Sequence, residues 1–479
     1  MADSALVDLS VPRAVHLVGI GGAGISAIGV ILAAMGHRVT GSDVRTTPAW
    51  PSLEAAGIVP DVVEPERLFA AAADHDAEVV AHSTAFPPSP TDLAGARAAG
   101  RVVVDRAGIL AAICAARPTV AVSGTHGKTS STAMLATLLD GVGSDPSWLV
   151  GATPLGLARA ASWGEGGWFV VEADESDGTF ERLGAEIAVV TNIDEDHLDF
   201  WGDLDAIEAG FDRFVGGARV AIVGLDDPHG RQAVEPRAQR VAERHGALTV
   251  GESPTARMRV HDIAVERLRT TFGLTLDGTS LGSFSLATPG RHHARNAAAA
   301  VAVALELGVE VEPARAALAA YRGVTRRFEV IGEAAGVTVV DDYAHNPGKI
   351  RALLASAAEA GWPRVVAIFQ PHRYTRTRDL AADFGGALAL ADLVAVTDVY
   401  AAGEPPIAGV TGRVLLDATF DERPWSAAAW TPTLDDAEAW ALSTLRPGDL
   451  CLTVGAGDIS SLAPRLVAAL ARRAGVETA

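Results

Sequence analysis

The chain has 479 residues, more than one hydrophobic core usually organises, so we expect two to four domains. Its 59 acidic and 39 basic residues give a net charge of -20. This charge argues against general binding of nucleic acid or of anionic membranes, because no basic surface is available for phosphate groups. The two cysteines, Cys114 and Cys451, form no CxxC pair, which favours the reducing cytoplasm over a secreted, disulfide-bonded protein.

The segment 14–36 contains no Asp, Glu, Lys or Arg and has the length of a membrane span. It nevertheless carries six glycines and changes from strand-like to helix-like character along its length. The pattern therefore predicts a strand, a loop and a helix of a globular domain, and no membrane insertion.

Short β-branched runs alternate with Ala- and Leu-rich helical stretches along most of the chain, which is typical of α/β domains with mostly parallel sheets. The pattern divides into three blocks, which we place at residues 1–113, 114–322 and 323–479. Within the second block, residues 255–290 are predicted to form shorter and more polar segments. Several strands end abruptly in Gly, acidic residues, His or Arg, and ligands of open parallel sheets bind outside such strand ends.

A glycine loop at 122–131, "VSGTHGKTSS", follows an apolar run and predicts a triphosphate site. A literal Walker motif has four residues between its first glycine and the Gly-Lys pair, whereas this loop has two. Its glycines still allow backbone amides to approach phosphates, Lys128 can reach phosphate oxygens, and the Thr129 hydroxyl can face Mg²⁺. Only two of the 39 basic residues are lysines, so Lys128 is conspicuous in a chain that otherwise uses arginine.

Two acidic clusters follow apolar runs in the same block. "VVEADESD" contains Glu172, Asp174 and Glu175, and "VVTNIDEDHLD" contains Asp194, Asp196 and His197. Helix capping can account for any one of these acids. Two clusters beside a phosphate loop favour a Mg²⁺ site instead, although His197 alone is as well explained as a structural histidine, because Mg²⁺ prefers oxygen ligands.

A second glycine loop, Gly19-x-Gly21-x-x-Gly24, also follows a strand pattern and begins a helix pattern. Asp43 lies 19 positions after Gly24, close to the spacing of dinucleotide-binding folds. The motif fits the pyrophosphate of NAD and that of a nucleotide sugar equally well. No conventional dehydrogenase constellation accompanies it, so we expect two different nucleotides bound by two domains.

The third block contains two polar strand ends. "FQPHRYTRT" brings together His372, Arg373 and Arg376, a cationic group suited to a carboxylate or phosphate. "DDYAHNPGKI" places Asn346 at a predicted helix N-cap with Pro347 at the first helical position. Helix-start preferences do not explain Tyr343 and His345, which makes them candidates for ligand contacts.

Together, these motifs resemble the Mur ligase family of bacterial cell-wall synthesis. The resemblance runs through seven ordered motifs: "HLVGIGGAGIS", "GTHGKTSSTAM", "EADESDGTF", "TNIDEDHLDF", "FQPHRYTRT", "DVYAAGEPPIAGV" and "VGAGDI". It implies an N-terminal Rossmann-like UDP-sugar domain, a central ATPase of P-loop type and a Rossmann-like C-terminal domain. The implied activity is the ATP-dependent joining of L-alanine to the lactyl carboxylate of UDP-N-acetylmuramate (UDP-MurNAc) through an acyl phosphate, in a cytoplasmic monomer or homodimer.

The resemblance also assigns roles to residues. Those implied in UDP-MurNAc binding are Gly19, Gly21, Gly22, Ala23, Gly24, Asp43 and Ser83. Those implied in ATP binding are Gly124, Thr125, His126, Gly127, Lys128, Thr129, Ser130, Asn296, Arg327 and Asp342. Thr129, Glu172 and His197 are the implied Mg²⁺ ligands, and the L-alanine pocket comprises Tyr343, His345, His372, Arg373 and Arg376. Catalytic roles are implied for Lys128, His197, Arg373 and Arg376.

Two departures from the family pattern bear on these roles. His293 stands where the family usually has an asparagine beside the adenine, and Asn346 stands where alanine-adding relatives often have a second histidine. Three alternatives to this activity stay open. They are a murein-peptide recycling ligase of the same family, an NAD-dependent dehydrogenase and a non-catalytic nucleotide-sensing scaffold.

Overall fold

A computed structural model of the protein describes residues 7–157, 159–225, 235–424 and 427–475. Its strands form three separate sheets of five, ten and six strands. Among the residues described, none of the helices combines the length and apolar character that a bilayer crossing requires.

The first sheet is parallel throughout, with strand order β3-β2-β1-β4-β5. Its strands are β1 (Ala14–Val18), β2 (Arg38–Asp43), β3 (Asp61–Val62), β4 (Val79–His82) and β5 (Val102–Asp105). The helices of this region are α1 (Ala23–Ala34), α2 (Trp50–Ala55), α3 (Ala71–Asp74), α4 (Pro90–Ala98) and α5 (Arg106–Ala115). The strand, turn and helix expected within residues 14–36 are therefore confirmed as β1, a glycine turn and α1.

The second sheet has the order β15-β14-β13-β12-β11-β10-β6-β9-β7-β8. Its strands are β6 (Thr119–Ser123), β7 (Ser147–Leu149), β8 (Ala161–Ser162), β9 (Phe169–Glu172), β10 (Ile187–Val190), β11 (Val220–Gly224), β12 (Leu248–Gly251), β13 (Met258–Glu266), β14 (Arg269–Leu276) and β15 (Thr279–Leu286). The helices are α6 (Lys128–Gly141), α7 (Leu198–Trp201), α8 (Leu204–Gly216), α9 (Glu235–His245), α10 (Arg291–Glu306) and α11 (Val311–Ala319). In this spatial order, the strands from β13 across to β7 run parallel to one another. β8, at the edge of the sheet, pairs with β7 in the antiparallel direction.

The expectation of shorter segments at 255–290 was wrong. β13, β14 and β15 have 9, 8 and 8 residues and are longer than any other strand in the described part of the chain. Their side chains alternate between buried and exposed along much of β13 instead of forming a continuous apolar run. A strand with one solvated face carries about half its residues as polar ones, which is why the sequence suggested short segments.

The third sheet has the order β16-β17-β21-β18-β19-β20 and is parallel except for the pairing of β16 with β17. Its strands are β16 (Glu329–Ala334), β17 (Val337–Asp342), β18 (Arg364–Phe369), β19 (Leu393–Val396), β20 (Ala427–Trp430) and β21 (Asp449–Val454). The helices are α12 (Pro347–Glu359), α13 (Tyr374–Asp379), α14 (Ala381–Leu388), α15 (Arg413–Glu422), α16 (Leu434–Thr444) and α17 (Leu462–Arg473). Two hydrophobic clusters contain apolar side chains of this sheet.

By packing, the chain divides into two compact units. The first comprises Met1–Asp262, Phe272–Phe284 and Ala294–Tyr321, and the second comprises Ile263–Thr271, Ser285–His293 and Arg322–Ala479. The first unit contains the first sheet and most of the second, and one cluster of buried apolar side chains spans both of them. Ile109 and Ile113 of α5 belong to this cluster together with Val171 of β9 and Phe180.

Candidate active site

The loop after β6 has the conformation of a phosphate-binding turn. Gly124 and Gly127 have φ angles of 128° and 86°, which side chains other than glycine rarely adopt. A methyl group at Gly124 would also lie 2.1 Å from the Thr191 hydroxyl. α6 begins at Lys128, so the first backbone amides of this helix, including those of Thr129 and Ser130, have no intrahelical acceptor. Such amides and the helix dipole bind anions.

Asn192, for which no role was predicted from the sequence, fixes the shape of this loop. Its side-chain Oδ1 accepts a hydrogen bond from the His126 amide at 2.9 Å, and its Nδ2 donates to the His126 carbonyl at 2.8 Å. Its backbone carbonyl accepts from the Thr125 amide at 3.2 Å. The signal was present as the Thr-Asn pair directly after β10, since β10 lies beside β6 in the sheet.

Lys128 is held at the loop by a buried carboxylate. Its Nζ donates to the Gly124 carbonyl at 2.9 Å and to Glu175 Oε1 at 2.7 Å. Glu175 is 3% exposed, and burial raises the pKa of its carboxyl group, although the charge and hydrogen bond of Lys128 oppose that shift. These two bonds hold the ammonium beside the loop.

Thr129 and Glu172 form a pair of oxygen donors beside Lys128. The Thr129 hydroxyl donates to Glu172 Oε1 at 2.8 Å, because β9 pairs with β6 in a register that sets Glu172 opposite Val122. Among the described residues no three His, Cys, Asp or Glu side chains are grouped closely enough to hold a metal ion. The donor set fits Mg²⁺, which usually takes one or two protein oxygens and completes its shell with water and substrate phosphates.

His197 lies at the edge of the same cluster. It has a φ of 53° at the N-cap of α7, and its Nε2 is 3.9 Å from Glu175 and 3.8 Å from Asp196. Asp194 is 2% exposed, and its backbone exchanges hydrogen bonds with the Thr125 hydroxyl. The two acidic strand ends are thus brought together at the loop.

Asn296 of α10 also reaches the loop. A methyl group at Gly127 would lie 2.7 Å from Asn296 Oδ1. The side chain is 7% exposed, and its Nδ2 has no protein acceptor in the described part of the chain. Asn296 therefore lies against the phosphate loop, and its side-chain NH₂ group donates to none of the described residues.

The first glycine loop is closed by its own hydrogen bonds. The Gly21 amide donates to Asp43 Oδ2 at 2.8 Å, and the Gly21 carbonyl accepts from the Thr47 hydroxyl at 2.9 Å. The Gly19 and Gly22 amides bond to the carbonyls of Ser42 and Gly19. The expected UDP-sugar contacts thus divide into two groups. Asp43 and three of the glycines hold the turn, whereas the amides of Ala23 and Gly24 open the helix without an intrahelical acceptor.

Ser83 follows β4 beside the same turn. Its amide donates to the Val18 carbonyl, and a methyl group at Gly19 would lie 3.1 Å from Ser83 Cβ and 2.6 Å from the Phe86 ring. Gly19 has a φ of 75°, so it is required both for its conformation and for this close approach.

Two ion pairs join the end of β5 and the start of α5 to residues 173–182, which follow β9; we call residues 173–178 the acidic loop after β9. Arg106 Nη2 lies 3.0 Å from Asp177 Oδ2. Arg182 binds Asp105 with both of its terminal nitrogens, at 2.6 and 3.0 Å. Asp177 is two residues from Glu175, so one acidic loop contacts both Arg106 of α5 and Lys128 of the phosphate loop.

In the second unit, four of the five residues expected in the alanine pocket form a chain of contacts. The His345 ring lies 5.0 Å from the Tyr343 ring and 6.0 Å from the His372 ring, measured between centroids. Arg376 Nη1 donates to the His345 carbonyl at 3.4 Å. Arg373 is adjacent to His372 and has a φ of 73°.

Tyr400 and Glu404 belong to this cluster, although no role was predicted for them from the sequence. The Tyr400 ring stacks on His372 at 5.8 Å with an interplanar angle of 13°. Glu404 accepts from the Thr375 amide at 3.0 Å and lies 3.9 Å from Arg373 Nε. Both occur in "DVYAAGEPPIAGV", which follows β19, the neighbour of β18 in the sheet.

The electrostatics of the cluster favour an anion. Burial lowers the pKa of His345 to about 4. Burial and then the nearby charges of Arg376 and Arg373 lower the pKa of His372. Burial and the charge of Arg373 also lower the pKa of Arg376. Two arginines in such proximity repel each other, and a bound carboxylate would relieve that repulsion.

Two expected ATP contacts, Asp342 and Arg327, lie in this unit. Asp342 accepts hydrogen bonds from the backbone amides of Phe328 and Ala344, both at 2.8 Å. Both of its carboxylate oxygens are therefore used to shape the backbone, and burial raises its pKa. The charge of Arg327 opposes that shift.

Asn346 and His293, the two residues that depart from the family pattern, both make hydrogen bonds that stabilise their own backbone regions. Asn346 caps α12, and its side chain accepts from the Lys349 amide at 2.9 Å. The His293 ring bonds to the Pro289 carbonyl at 2.8 Å, and burial lowers its pKa to about 4.

Comparison with known proteins identifies the family. Three domain models match in succession: the Mur ligase family catalytic domain at 14–118, the Mur ligase middle domain at 122–304 and the Mur ligase glutamate ligase domain at 326–457. UDP-N-acetylmuramate–L-alanine ligase of Acidothermus cellulolyticus is 43% identical in an alignment of 471 residues that covers 96% of this chain and 95% of that protein. The chain belongs to the Mur ligase family.

Further relatives support the same family assignment. The ligase of the same name from Thermobifida fusca is 41% identical over 468 residues, covering 95% of this Mur ligase and 96% of that protein. The solved structure of UDP-N-acetylmuramate–alanine ligase from Thermotoga maritima matches with a TM-score of 0.78 and 27% identity, covering 96% of this chain and all of that one. A murein peptide ligase from Psychrobacter arcticus shares the fold, with a TM-score of 0.62 and 23% identity over 96% and 98% of the two chains.

Proposed function

We propose that this protein is an ATP-dependent UDP-N-acetylmuramate–L-alanine ligase of peptidoglycan precursor synthesis. The observation that carries the proposal is the set of near-full-length relatives with that name at about 40% identity. The phosphate loop, the oxygen pair of Thr129 and Glu172, and the arginine cluster supply the chemistry that such a reaction needs.

The reaction begins with activation of a carboxylate. The lactyl carboxylate of UDP-MurNAc attacks the γ-phosphate of ATP, forming an acyl phosphate and ADP. The amine of L-alanine then attacks the acyl carbon, and the tetrahedral intermediate expels phosphate to leave an amide. Phosphorylation is needed because a carboxylate oxygen is a poor leaving group.

Lys128 and the first turn of α6 bind the phosphates in this scheme. When ATP binds, the Lys128 ammonium moves from Glu175 to a phosphate oxygen. There it offsets the negative charge that accumulates between the attacking carboxylate and the γ-phosphate. Thr129, Glu172 and His197 would hold Mg²⁺, which would supply electrostatic stabilisation of the transferring phosphoryl group. Asn192 keeps the loop amides in place throughout.

In the second unit, Arg373 and Arg376 receive the carboxylate of L-alanine, and Tyr343, His345 and His372 border the pocket. His345 is neutral near pH 7, since its pKa is about 4. Asn296 contacts the nucleotide near the phosphate loop. The Asp342 carboxylate holds the backbone on either side of Tyr343 through the amides of Phe328 and Ala344. Asp342 and Arg327 remain proposed contacts of ATP.

We assign residues 1–113 to a UDP-sugar domain, 114–322 to the ATPase and 323–479 to the amino-acid-binding domain. The break at 113–114 falls within α5, between the last strand of the first sheet and the first strand of the second. We place the reaction in the cytoplasm, where ATP and nucleotide sugars are available.

A coupled ADP-release assay across a panel of acceptors tests the proposal. We expect turnover to require both UDP-MurNAc and L-alanine, with little activity on other amino acids or on a murein tripeptide. Turnover with the tripeptide and none with alanine would instead identify a recycling ligase. Saturable NADH binding without ADP release would favour the dehydrogenase alternative.

A further inference from the structure

Arg106, the first residue of α5, lies over the turn where the nucleotide sugar is proposed to bind. A methyl group at Gly24 would be 3.6 Å from Arg106 Cδ and 3.7 Å from its Nη1. The Arg106 side chain therefore covers the first turn of α1, where the Ala23 and Gly24 amides have no intrahelical acceptor. Neither the sequence motifs nor the proposed function uses this residue.

The two terminal nitrogens of Arg106 have different environments. Nη2 lies 3.0 Å from Asp177 Oδ2 and 3.5 Å from the Thr179 hydroxyl. In the part of the chain that the structure describes, Nη1 has no hydrogen-bond acceptor, and it is the nitrogen near Gly24. One nitrogen is thus anchored by a carboxylate while the other faces an anion-binding turn. A guanidinium offers several donors in fixed directions, so it can serve both partners at once.

Arg106 is also partly buried, since its side chain is 21% exposed. A guanidinium held near a helix N-terminus experiences unfavourable charge from the helix dipole unless an anion lies between them. The pair with Asp177 offsets part of this cost, and a phosphate at the turn would offset the rest. The local charge distribution therefore favours a negatively charged ligand between Arg106 and α1.

We propose that Arg106 contacts the diphosphate of the nucleotide sugar and that Asp177 is the positioning residue that keeps it over the turn. This inference rests on the proposed function. It assigns to the acidic loop after β9 a task in sugar-nucleotide binding, in addition to the roles of Glu172 and Glu175 beside the phosphate loop.

The test compares Arg106→Ala with Arg182→Ala as a matched control. Arg182 forms the other ion pair between the first sheet and the same region, but its partner is Asp105. Inhibition constants of UDP and uridine against UDP-MurNAc are measured for each variant. We expect Arg106→Ala to raise the inhibition constant of UDP by about 10- to 100-fold, the effect of losing a charge-assisted hydrogen bond. The inhibition constant of uridine should stay within about threefold of the wild-type value. Arg182→Ala should change neither constant by more than about threefold.

A double-mutant cycle tests the positioning role of Asp177. Asp177→Ala should raise the inhibition constant of UDP less than Arg106→Ala does. The double variant should have the same inhibition constant as Arg106→Ala alone. Unchanged UDP inhibition in Arg106→Ala, equal losses in Arg106→Ala and Arg182→Ala, or additive losses in the double variant would overturn the inference. Failure of the wild-type protein to use UDP-MurNAc would instead overturn the proposed function.

Discussion

Replacing Asn192 with alanine tests how the ATP loop is built. The substitution removes two hydrogen bonds to His126, at 2.9 and 2.8 Å, from a side chain that is 8% exposed. At about 1 kcal/mol for each bond, the ordered loop conformation would lose about 2 kcal/mol. Because ATP binds the ordered loop, we expect its KM to rise, by up to about 30-fold when the ordered conformation is no longer the main one.

Steady-state phosphate release measures this effect, with the KM for each of the three substrates determined at saturating levels of the other two. The KM for L-alanine should stay within about twofold of the wild-type value. Thr433→Ala is a suitable control, because Thr433 also exchanges hydrogen bonds with Asp436 at the start of α16, in the other unit. If Asn192→Ala folds normally and its KM for ATP matches that of Thr433→Ala, the assigned role of Asn192 is wrong.

Three further predictions concern the metal, the amino-acid pocket and pH. Glu172→Gln should raise the Mg²⁺ concentration for half-maximal activity by about 10- to 100-fold, and an unchanged Mg²⁺ titration would exclude Glu172 as a ligand. Arg376→Ala should raise the KM for L-alanine by at least about tenfold without changing that for ATP, as substrate kinetics would reveal. His293 has a folded-state pKa of about 4, below its unfolded value. Its contribution to stability is therefore complete above about pH 6.5 and is lost as the pH falls towards 4, by at most about 1.4 kcal/mol per pH unit. Urea unfolding at pH 7 and pH 5 should show a smaller difference for His293→Asn than for wild type, and equal differences would contradict this cause.

Much of the fold followed from the sequence because strand ends, glycine turns and helix starts are local signals. The starts of α6 at Lys128 and of α12 at Pro347 were readable from the glycine loop and from the Asn-Pro pair. The lengths of β13, β14 and β15 were not, because strands with one solvated face lack a continuous apolar run.

The ligand class of each part of the site could be predicted, because the residue types within one motif indicate what that motif binds. Lys128, Thr129 and Glu172 come together because β6 and β9 are neighbours, which the sequence could only suggest. Asn192, Tyr400 and Glu404 were missed since they act by holding other residues, and such roles depend on which strands lie side by side. The backbone bonds that Asp43 and Asp342 accept could not be predicted from the sequence, because they depend on how each turn folds; their proposed ligand contacts stay predictions.

The central claim is that the chain activates a carboxylate by transferring phosphate to it. UDP-MurNAc labelled with ¹⁸O in both lactyl carboxylate oxygens tests this directly when turned over with ATP and L-alanine. We expect one labelled oxygen to appear in inorganic phosphate and the other to stay in the amide carbonyl, as mass spectrometry would detect. Release of unlabelled phosphate during amide formation would contradict it.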